Sequence, residues 1–331
     1  MNKELDKHGQ EPAILQWLSD HYGIDGSLSR LSGENINYLV TVNDEERYVL
    51  KIMNNKVTPE AVAMEYAAVE HASSSGFDLK MPRIVENRIG SLYSGINIRK
   101  KHLKMALLYY YLDDILLSKL SDISVDLANN VGNAIALFDL AMANFDHPAA
   151  HRSHPWDLAE AGQHESKIEL IADPGRRDLL AWAFQNWFSD AKPKLAALPQ
   201  QFIHGDAHGD NILVRAGRVS GLLDFGDSGF NPTICELATC LPYLMMGRSD
   251  PMGIAAGITA GYHAIRPLSD AEFAVLMPLV CGRLAVTVSM AAKHRQIDPS
   301  QAAWFVSEEG AWELLAFLRT MGIGQGIKHL L

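Results

Sequence analysis

The first part of the chain combines a helical pattern with several short apolar runs. Ile14, Leu15 and Leu18 are spaced as on one face of a helix over residues 11–22, and Gly23 ends it. Three apolar runs follow at 27–32, 36–42 and 47–53, separated by residues typical of turns. The pattern therefore predicts an antiparallel three-stranded meander after the first helix.

A second helix is predicted between residues 59 and 75. Thr58 can cap it, Pro59 suits the first helical position, and Gly76 ends it. Two further apolar stretches, 91–98 and 105–112, are typical of strands. The N-terminal part of the chain is thus predicted to be a small sheet with helical cover.

From residue 113 onward the apolar residues recur at helical spacing, for example at Val131, Ile135 and Phe138. Residues 201–223 are the exception, with a short strand, a polar loop and two strands around Ala216. These patterns predict an α+β fold with two lobes, the second mostly helical.

Composition narrows the class of protein. The 331 residues are 48% hydrophobic and 21% charged, which excludes a disordered or collagen-like chain. The formal net charge of −10 disfavours binding to nucleic acid or to an acidic membrane surface. We expect no signal peptide and no membrane span, because the N-terminus is charged and the apolar runs are interrupted, for example at Arg248 and Arg283.

The cysteines indicate a reducing compartment. Cys235, Cys240 and Cys281 lie in apolar stretches without the paired spacing of a metal site, so we expect buried side chains. A cytoplasmic protein is the simplest interpretation.

The polar loop inside residues 201–223 carries the strongest chemical signal. It contains His204-Gly205-Asp206 and, five residues after Asp206, Asn211; the next hairpin delivers Asp224-Phe225-Gly226-Asp227. This pattern resembles the catalytic loop and the metal-binding aspartate of protein kinases. His-Gly-Asp in place of His-Arg-Asp is similar to the aminoglycoside phosphotransferase-like branch of small-molecule kinases.

The resemblance implies a role for each residue of this loop. Asp206 would accept the proton of the attacking hydroxyl, and Asn211 and Asp224 would supply oxygen ligands for Mg²⁺. His204 would orient the loop. For His208 and Asp210, a histidine on the loop surface and a solvated aspartate are the simpler interpretations, with direct roles as the alternative. Asp227 could fix the metal-binding loop or help to hold a cationic substrate.

The N-terminal lobe offers the other half of a nucleotide site. Lys51 lies within an apolar strand, where an ammonium group needs an anion. Glu65 shares a helix face with Val62 and Val69, so a pair between Lys51 and Glu65 is expected, with Glu70 as a weaker rival. The resemblance further implies nucleotide contacts from the first turn and base recognition at the connector, through Ser32, Gly33, Asn37 and the backbone around Tyr110.

Further stretches are similar to the hydroxylysine kinase and aminotransferase-fused kinase subgroup, with homoserine kinases and choline or ethanolamine kinases as close neighbours. They lie at residues 146–150, 156–158 and 306–312. The resemblance implies a bilobal protein-kinase-like fold with a nucleotide-binding lobe over 1–108, a connector over 109–113 and a catalytic and substrate lobe over 114–331. The implied cofactors are Mg²⁺ and ATP, or GTP, and the partner is a small hydroxylated amine or amino acid. The chain would be a monomer or a homodimer.

A negative lining could favour an acceptor that carries an ammonium group. The acidic residues that could form it are Asp113, Asp114, Asp210, Asp227 and Glu236.

Two other functions remain open at this point. His204, Asp206, His208 and Asp210 alternate as potential ligands of a metal-dependent hydrolase. A nucleotide-binding module without catalysis is the second alternative, although such a protein would be expected to lack Lys51, Asp206 or Asp224.

Overall fold

The computed structural model describes residues 10–31, 35–97, 103–297 and 308–330. The chain divides into two compact units, unit 1 with Met1–Val69 and Met81–Asp113, and unit 2 with Glu70–Lys80 and Asp114–Leu331. The end of the second helix therefore groups with unit 2, which the sequence pattern does not reveal. The nucleotide and substrate roles assigned to the two lobes remain predictions.

The described residues of unit 1 form an antiparallel sheet and two helices. In the described residues the strand order is β1-β2-β3-β5-β4. The helices are α1 (Glu11–Tyr22) and α2 (Pro59–Ser74), the latter continuing into unit 2. The strands are β1 (Ser27–Leu31), β2 (Ile36–Thr41), β3 (Arg47–Ile52), β4 (Ser94–Ile96) and β5 (Lys104–Tyr110).

Strand alternation gives the sheet of unit 1 two different faces. Leu50 and Ile52 are buried in one apolar cluster with Ile14 and Leu18 of α1. The residues in between face the other way, where Val49 packs in a second cluster with Val62 of α2, Leu107 and Tyr109. Lys51, between Leu50 and Ile52 in β3, therefore projects from the face that α2 covers.

Unit 2 is mostly helical. Its helices are α3 (Val125–Ala141), α4 (Pro174–Asn186), α5 (Lys192–Leu195), α6 (Ile234–Met245), α7 (Pro251–Ile265), α8 (Asp270–Ile297), α9 (Glu308–Met321) and α10 (Ile323–Leu330). Short 3₁₀ helices span Leu117–Lys119 and Pro148–Ala150, and a 3₁₀ segment of 13 residues, Leu158–Leu170, is kinked at Glu160. A π-helical turn spans Trp187–Ala191.

Helix α8 lies at the centre of unit 2, packed against α4, α6, α9 and the 3₁₀ segment Leu158–Leu170. It is long and apolar enough to cross a membrane by length and composition, and 94% of its apolar window is buried inside the structure. Arg283 lies within this run, and its side chain is buried in the core with the apolar residues around it.

Two small sheets interrupt the helices and support the polar loop. Strand β7 (Gln200–Ile203) pairs with β10 (Gly229–Pro232), and β6 (Ile115–Leu116), β8 (Ile212–Arg215) and β9 (Arg218–Leu222) form the other sheet. Both sheets are antiparallel. Loop 204–211 thus starts from one sheet and ends in the other.

Most predicted elements are confirmed, with shorter ends. The first helix has the predicted bounds, and the predicted runs at 91–98 and 105–112 form strands over Ser94–Ile96 and Lys104–Tyr110. All three cysteines are buried, as expected.

Helices α3 and α7 approach each other through glycines, which suggests a stability test. A Cβ atom added to Gly132 would lie 1.9 Å from the carbonyl oxygen of Ile258 in α7. We expect Gly132→Ala to lower the free energy of unfolding by about 3 kcal/mol, because backbone would have to move. Denaturant unfolding followed by fluorescence measures this change.

The matched control is Gly324→Ala in α10, where an added Cβ meets no atom within 4 Å. That variant should gain about 0.5–1 kcal/mol through reduced backbone freedom of the unfolded chain. Equal stabilities of the two variants would contradict close packing of α3 on α7.

Candidate active site in the loop after strand β7

Loop 204–211 is a tightly bonded turn of backbone. The N–H of His208 donates to the carbonyl of Asp206 over 2.9 Å, and the N–H of Asn211 donates to that of His208 over 2.8 Å. Gly205 has φ +74°, a left-handed conformation that glycine adopts without strain. The loop therefore presents Asp206 and His208 from a fixed backbone.

Two buried side chains hold the start of this loop. The backbone N–H groups of His204 and Gly205 both donate to Oε2 of Glu236 in α6, over 2.5 and 3.2 Å. Nδ1 of His204 accepts from the N–H of Asp206 over 3.2 Å, while its Nε2 donates to the carbonyl of Leu223 over 2.9 Å. These partners require the neutral Nε2–H tautomer, and burial lowers the pKa of His204 in agreement. The ring of His204 therefore links the backbone of Asp206 to that of Leu223, while its role in orienting the loop stays a prediction.

The pKa of Glu236 is unusually high for a glutamate. Burial raises its pKa to about 7, although the two N–H donors act in the opposite direction. Loop 204–211 is thus anchored on a carboxyl group that titrates near neutral pH.

The carboxylate of Asp206 is bound on both oxygens. Oδ1 accepts from Nη2 of Arg283 over 2.9 Å, and Oδ2 accepts from Nδ2 of Asn211 over 2.9 Å. Nε2 of His208 lies 3.4 Å from Oδ2. Burial alone would raise the pKa of Asp206, but His208 and Arg283 outweigh it and lower the pKa to about 2. Asp206 is therefore ionised and fixed in orientation.

Arg283 is the site residue that sequence reasoning missed. It lies in α8, 77 residues from Asp206 in sequence, and its side chain is 2% exposed. Its guanidinium carbon lies 5.0 Å from the ring centre of Trp156 and 5.3 Å from that of Tyr243. Nη1 also donates to the carbonyl of Trp156 over 2.9 Å. The position of Arg283 inside a long apolar stretch of the sequence could have identified it, because a buried charge needs a partner of opposite charge.

Asp224 follows directly on the pairing of β8 with β9. The N–H of Leu223 donates to the carbonyl of Asn211 over 2.8 Å. Asp224 is the next residue in the chain after Leu223. Its φ of +63° is left-handed, which is uncommon for a residue other than glycine. Phe225 packs on the ring of His204 with centroids 4.8 Å apart. The backbone thus brings Asn211 and Asp224 together.

Asn211 and Asp224 fit a hard divalent cation. Nδ2 of Asn211 donates to both the carbonyl and the carboxylate of Asp206, which fixes the amide with its oxygen as the remaining ligand. An amide oxygen and a carboxylate are the donors that Mg²⁺ accepts.

Asp227 lies beside a second group of polar residues. Its Oδ1 is 3.7 Å from Nδ1 of His154. Burial and the charges of Arg152 and Arg283 lower the pKa of His154 to about 4, so this histidine is neutral at pH 7. Nη2 of Arg152 donates to the carbonyls of Gly226 and Ser228, the former at short range. Arg152 therefore braces the backbone on both sides of Asp227.

In unit 1 the predicted nucleotide residues are neighbours on the sheet. Lys51 lies opposite Asn37 in β2 and opposite Leu107 in β5. Nζ of Lys51 is 5.4 Å from the ring centre of Tyr109, and the hydroxyl of Tyr109 lies 3.5 Å from Oε2 of Glu65. The structure thus brings Lys51 and Glu65 to one tyrosine and places Asn37 opposite Lys51 on the sheet.

Tyr110 differs from the other predicted residues. Its backbone N–H donates to the carbonyl of Arg83 over 3.0 Å, and the N–H of Tyr111 donates to that of Arg47 over 3.1 Å. The side chain of Tyr110 is 51% exposed. Base recognition near Tyr110 would therefore use other groups than these two N–H donors. Ser32 and Gly33 lie outside the described residues.

Part of the expected negative lining does not form. Asp114 is 1% exposed and bound by Lys80 and Arg215 over 2.7 and 2.6 Å, which lower its pKa against the effect of burial. Glu236 is fully buried under loop 204–211. Asp113 pairs with Arg47 over 3.0 Å within unit 1. Asp114 and Glu236 are thus used inside the fold, whereas the side chain of Asp113 is 72% exposed.

The hydrolase alternative finds no support in the side-chain arrangement. In the described ranges no group of three or more His, Cys, Asp or Glu side chains is placed to hold a metal. Both ring nitrogens of His204 are engaged within the protein.

Comparison with known proteins identifies the family. The model of the phosphotransferase enzyme family, APH, matches residues 27–274, well over half of the chain. This chain belongs to the phosphotransferase enzyme family. The match includes β1 to α7 and the whole of loop 204–211.

Named relatives of this phosphotransferase are kinases of small molecules. Hydroxylysine kinase of Mus musculus is 26% identical over 302 residues, covering 85% of this chain and 79% of that protein. Homoserine kinase of Gluconobacter oxydans (strain 621H) is 26% identical over 301 residues, covering 90% of this chain and 89% of that protein. The structure of the microcompartment-associated aminopropanol kinase superposes with a TM-score of 0.73 at 19% identity, covering 96% and 99% of the two chains.

These comparisons confirm the α+β, kinase-like fold and the class of enzyme. The protein is a small-molecule kinase. The roles of the individual site residues remain predictions, which the following experiments test.

The contact between Arg283 and Asp206 predicts a change in pH dependence. Replacing Arg283 by Met removes the buried cation, so the pKa of Asp206 should rise and the acid limb of the rate profile should move toward neutral pH. We expect kcat to fall about 100-fold through misplacement of the carboxylate. With the pKa of Asp206 at about 2, the original protein should show no acid limb from this group between pH 4 and 9, whereas the variant should show one. Rate profiles over this range measure both effects, and Arg283→Lys should partly restore the original profile and kcat.

The matched control is Arg176→Met. Arg176 also lies near a tryptophan ring, that of Trp312, and pairs with Glu309 over 2.5 Å, but it is 39% exposed. This variant should leave the pH profile in place. An unchanged acid limb in a folded Arg283→Met protein would show that Arg283 does not control Asp206.

The raised pKa of Glu236 predicts a pH-dependent stability. Its folded pKa of about 7 exceeds the ordinary value of 4.5, so the folded state binds more protons between these values and stability falls as pH rises across this window. Glu236→Gln keeps an oxygen acceptor for the loop and removes the titration. Unfolding free energies between pH 4.5 and 7.5 should vary less in this variant.

Glu309→Gln, at a side chain that is 65% exposed, is the control and should keep the dependence of the original protein. The interpretation fails when Glu236→Gln and the original protein lose stability equally across the window.

Proposed function

We propose that this kinase transfers the γ-phosphoryl group of ATP, or of GTP, to a hydroxyl of a small hydroxylated amine or amino acid. The observation that carries the proposal is the ionised Asp206, with one oxygen on Asn211 and the other on Arg283. A carboxylate fixed in this way can accept a hydrogen bond from an alcohol at a defined position.

Asp206 acts mainly by orienting the acceptor. With a pKa of about 2, it is a weak base, so it aligns the hydroxyl and takes the proton late in the reaction. A loose transition state in phosphoryl transfer requires little early proton removal, which suits this low basicity.

Asn211 and Asp224 would hold Mg²⁺. When bound, the ion would neutralise part of the negative charge of the phosphates. The proposal draws support from the oxygen donors of both residues and from the pairing of Asn211 with Leu223.

Unit 1 binds the nucleotide in this proposal. Lys51 contacts the phosphates, Glu65 helps to place Lys51 through the shared Tyr109, and Asn37 with Ser32 and Gly33 contributes from the first turn. The base lies near Tyr110.

The acceptor class follows from the relatives. They are named for hydroxylysine, homoserine and aminopropanol, which each join a hydroxyl to an amine. Release of nucleoside diphosphate should therefore rise with Mg²⁺ and one acceptor of this class. The panel contains hydroxylysine, homoserine, aminopropanol, choline, ethanolamine and an aminoglycoside, with ATP and GTP tested in parallel.

Asp206→Asn tests the central residue of the proposal. We expect binding of Mg-nucleotide within about twofold of the original protein and a loss of kcat of about 10³-fold or more, because the proposed metal ligands stay in place. Calorimetry measures binding, and diphosphate release measures transfer. Retained turnover would remove Asp206 from its role, and nucleotide binding without any acceptor would indicate a non-catalytic module.

A further inference from the structure

A cleft of about 490 Å³, including its solvent-open part, lies in unit 2 beside loop 204–211. Residues from three parts of the chain line it: Leu117, Ser118, His208, Gly209, Asp210, Tyr243, Leu244 and Arg248. His208 and Tyr243 connect it to the candidate base. His208 lies 3.4 Å from Asp206, and the hydroxyl of Tyr243 accepts from Nε of Arg283 over 3.2 Å. The cleft therefore adjoins the point at which a hydroxyl would meet Asp206.

Arg248 places a guanidinium group on the wall of this cleft. It follows the end of α6 after Gly247, whose φ of +70° turns the chain, and its side chain is 21% exposed. Nη1 donates to the carbonyl of Ser121 over 3.4 Å, and Asp122 lies 4.0 Å away with an 87% exposed side chain. Nε is buried and has no hydrogen-bond partner among the described residues.

These contacts leave most of the hydrogen-bonding capacity of the Arg248 guanidinium available to a ligand. A guanidinium has five N–H donors in a planar fork that matches a carboxylate. One long hydrogen bond and one loose, solvent-screened ion pair satisfy little of it. A partly buried guanidinium whose terminal nitrogens make only one long hydrogen bond indicates an anionic group of a ligand.

The same cleft also contains a carboxylate. Oδ1 of Asp210 accepts a short hydrogen bond from the hydroxyl of Ser118, and Nδ1 of His208 accepts from the backbone N–H of Asp210. Asp206 raises the pKa of His208 in spite of burial. The cleft thus presents the carboxylate of Asp210 and the guanidinium of Arg248, and it adjoins Asp206 through His208.

We propose that Arg248 binds the α-carboxylate of the acceptor and selects hydroxy amino acids over amino alcohols, with Asp210 facing the ammonium group. This inference rests on the proposed function and adds its specificity. An α-amino acid carries both charges on one carbon, which suits a cleft lined by Asp210 and Arg248. An amino alcohol would leave the guanidinium without its anion.

The experiment compares acceptors that differ only in the carboxylate. Homoserine is paired with 3-amino-1-propanol, and hydroxylysine with 1,5-diaminopentan-2-ol, each second compound being the decarboxylated form. In the original protein we expect kcat/KM to favour the amino acid of at least one pair by about 10- to 100-fold. Arg248→Met should remove this preference by raising KM for the amino acid, with KM for the amino alcohol within about twofold.

Arg319→Met is the matched control. Arg319 also pairs with a carboxylate, Asp178, over 2.7 Å, but it lies in α9 and does not line the cleft. This variant should keep the preference. Arg248→Lys, which keeps the charge and loses the fork, should restore part of it and provides a second test when Arg248→Met does not fold.

The outcomes separate this inference from the proposed function. Transfer to the amino alcohols with equal or better kcat/KM in the original protein overturns the role of Arg248 and leaves the kinase function intact. An equal loss with both members of a pair in Arg248→Met also overturns it. When no acceptor is phosphorylated, the proposed acceptor class fails, and calorimetry with homoserine and 3-amino-1-propanol still decides whether Arg248 binds a carboxylate.

Discussion

The ion pair between Asp206 and Arg283 is the interaction on which the rest of the site depends. The side chain of Arg283 is 2% exposed and that of Asp206 is 19% exposed, so the buried guanidinium in particular would be costly without its partner. Trp156 and Tyr243 lie beside the guanidinium, and Asn211 binds the second carboxylate oxygen. A central apolar helix, α8, can therefore contain a cation, because loop 204–211 supplies its anion.

The loop itself is organised by backbone donors rather than by further charges. At the start of the loop, Glu236 accepts hydrogen bonds from two backbone N–H groups. The ring of His204 links the N–H of Asp206 to the carbonyl of Leu223. Buried polar groups in such a network have little freedom to rearrange, because each lost hydrogen bond leaves an unsatisfied partner. Rigidity of this kind is what a carboxylate needs in order to hold an acceptor hydroxyl in one position.

The distribution of acidic residues separates structural from ligand-facing charge. Asp114 is enclosed by Lys80 and Arg215, and Glu236 is enclosed by backbone donors. Asp210 lies instead on a cleft wall together with Arg248. The net charge of −10 therefore says little about the substrate, because much of the local acidity is compensated inside the fold.

The sequence by itself determined the class of fold, the class of enzyme and the local geometry of loop 204–211. Period-2 and helical patterns depend on short-range sterics and burial, and Asp206, Asn211 and Asp224 lie within one loop and one hairpin. Only the tertiary structure decided that Arg283 binds Asp206, that Glu236 anchors the loop and that Arg248 shares a cleft with Asp210. Those contacts join residues that are distant along the chain, and their formation depends on how helices and sheets pack, which no local pattern encodes.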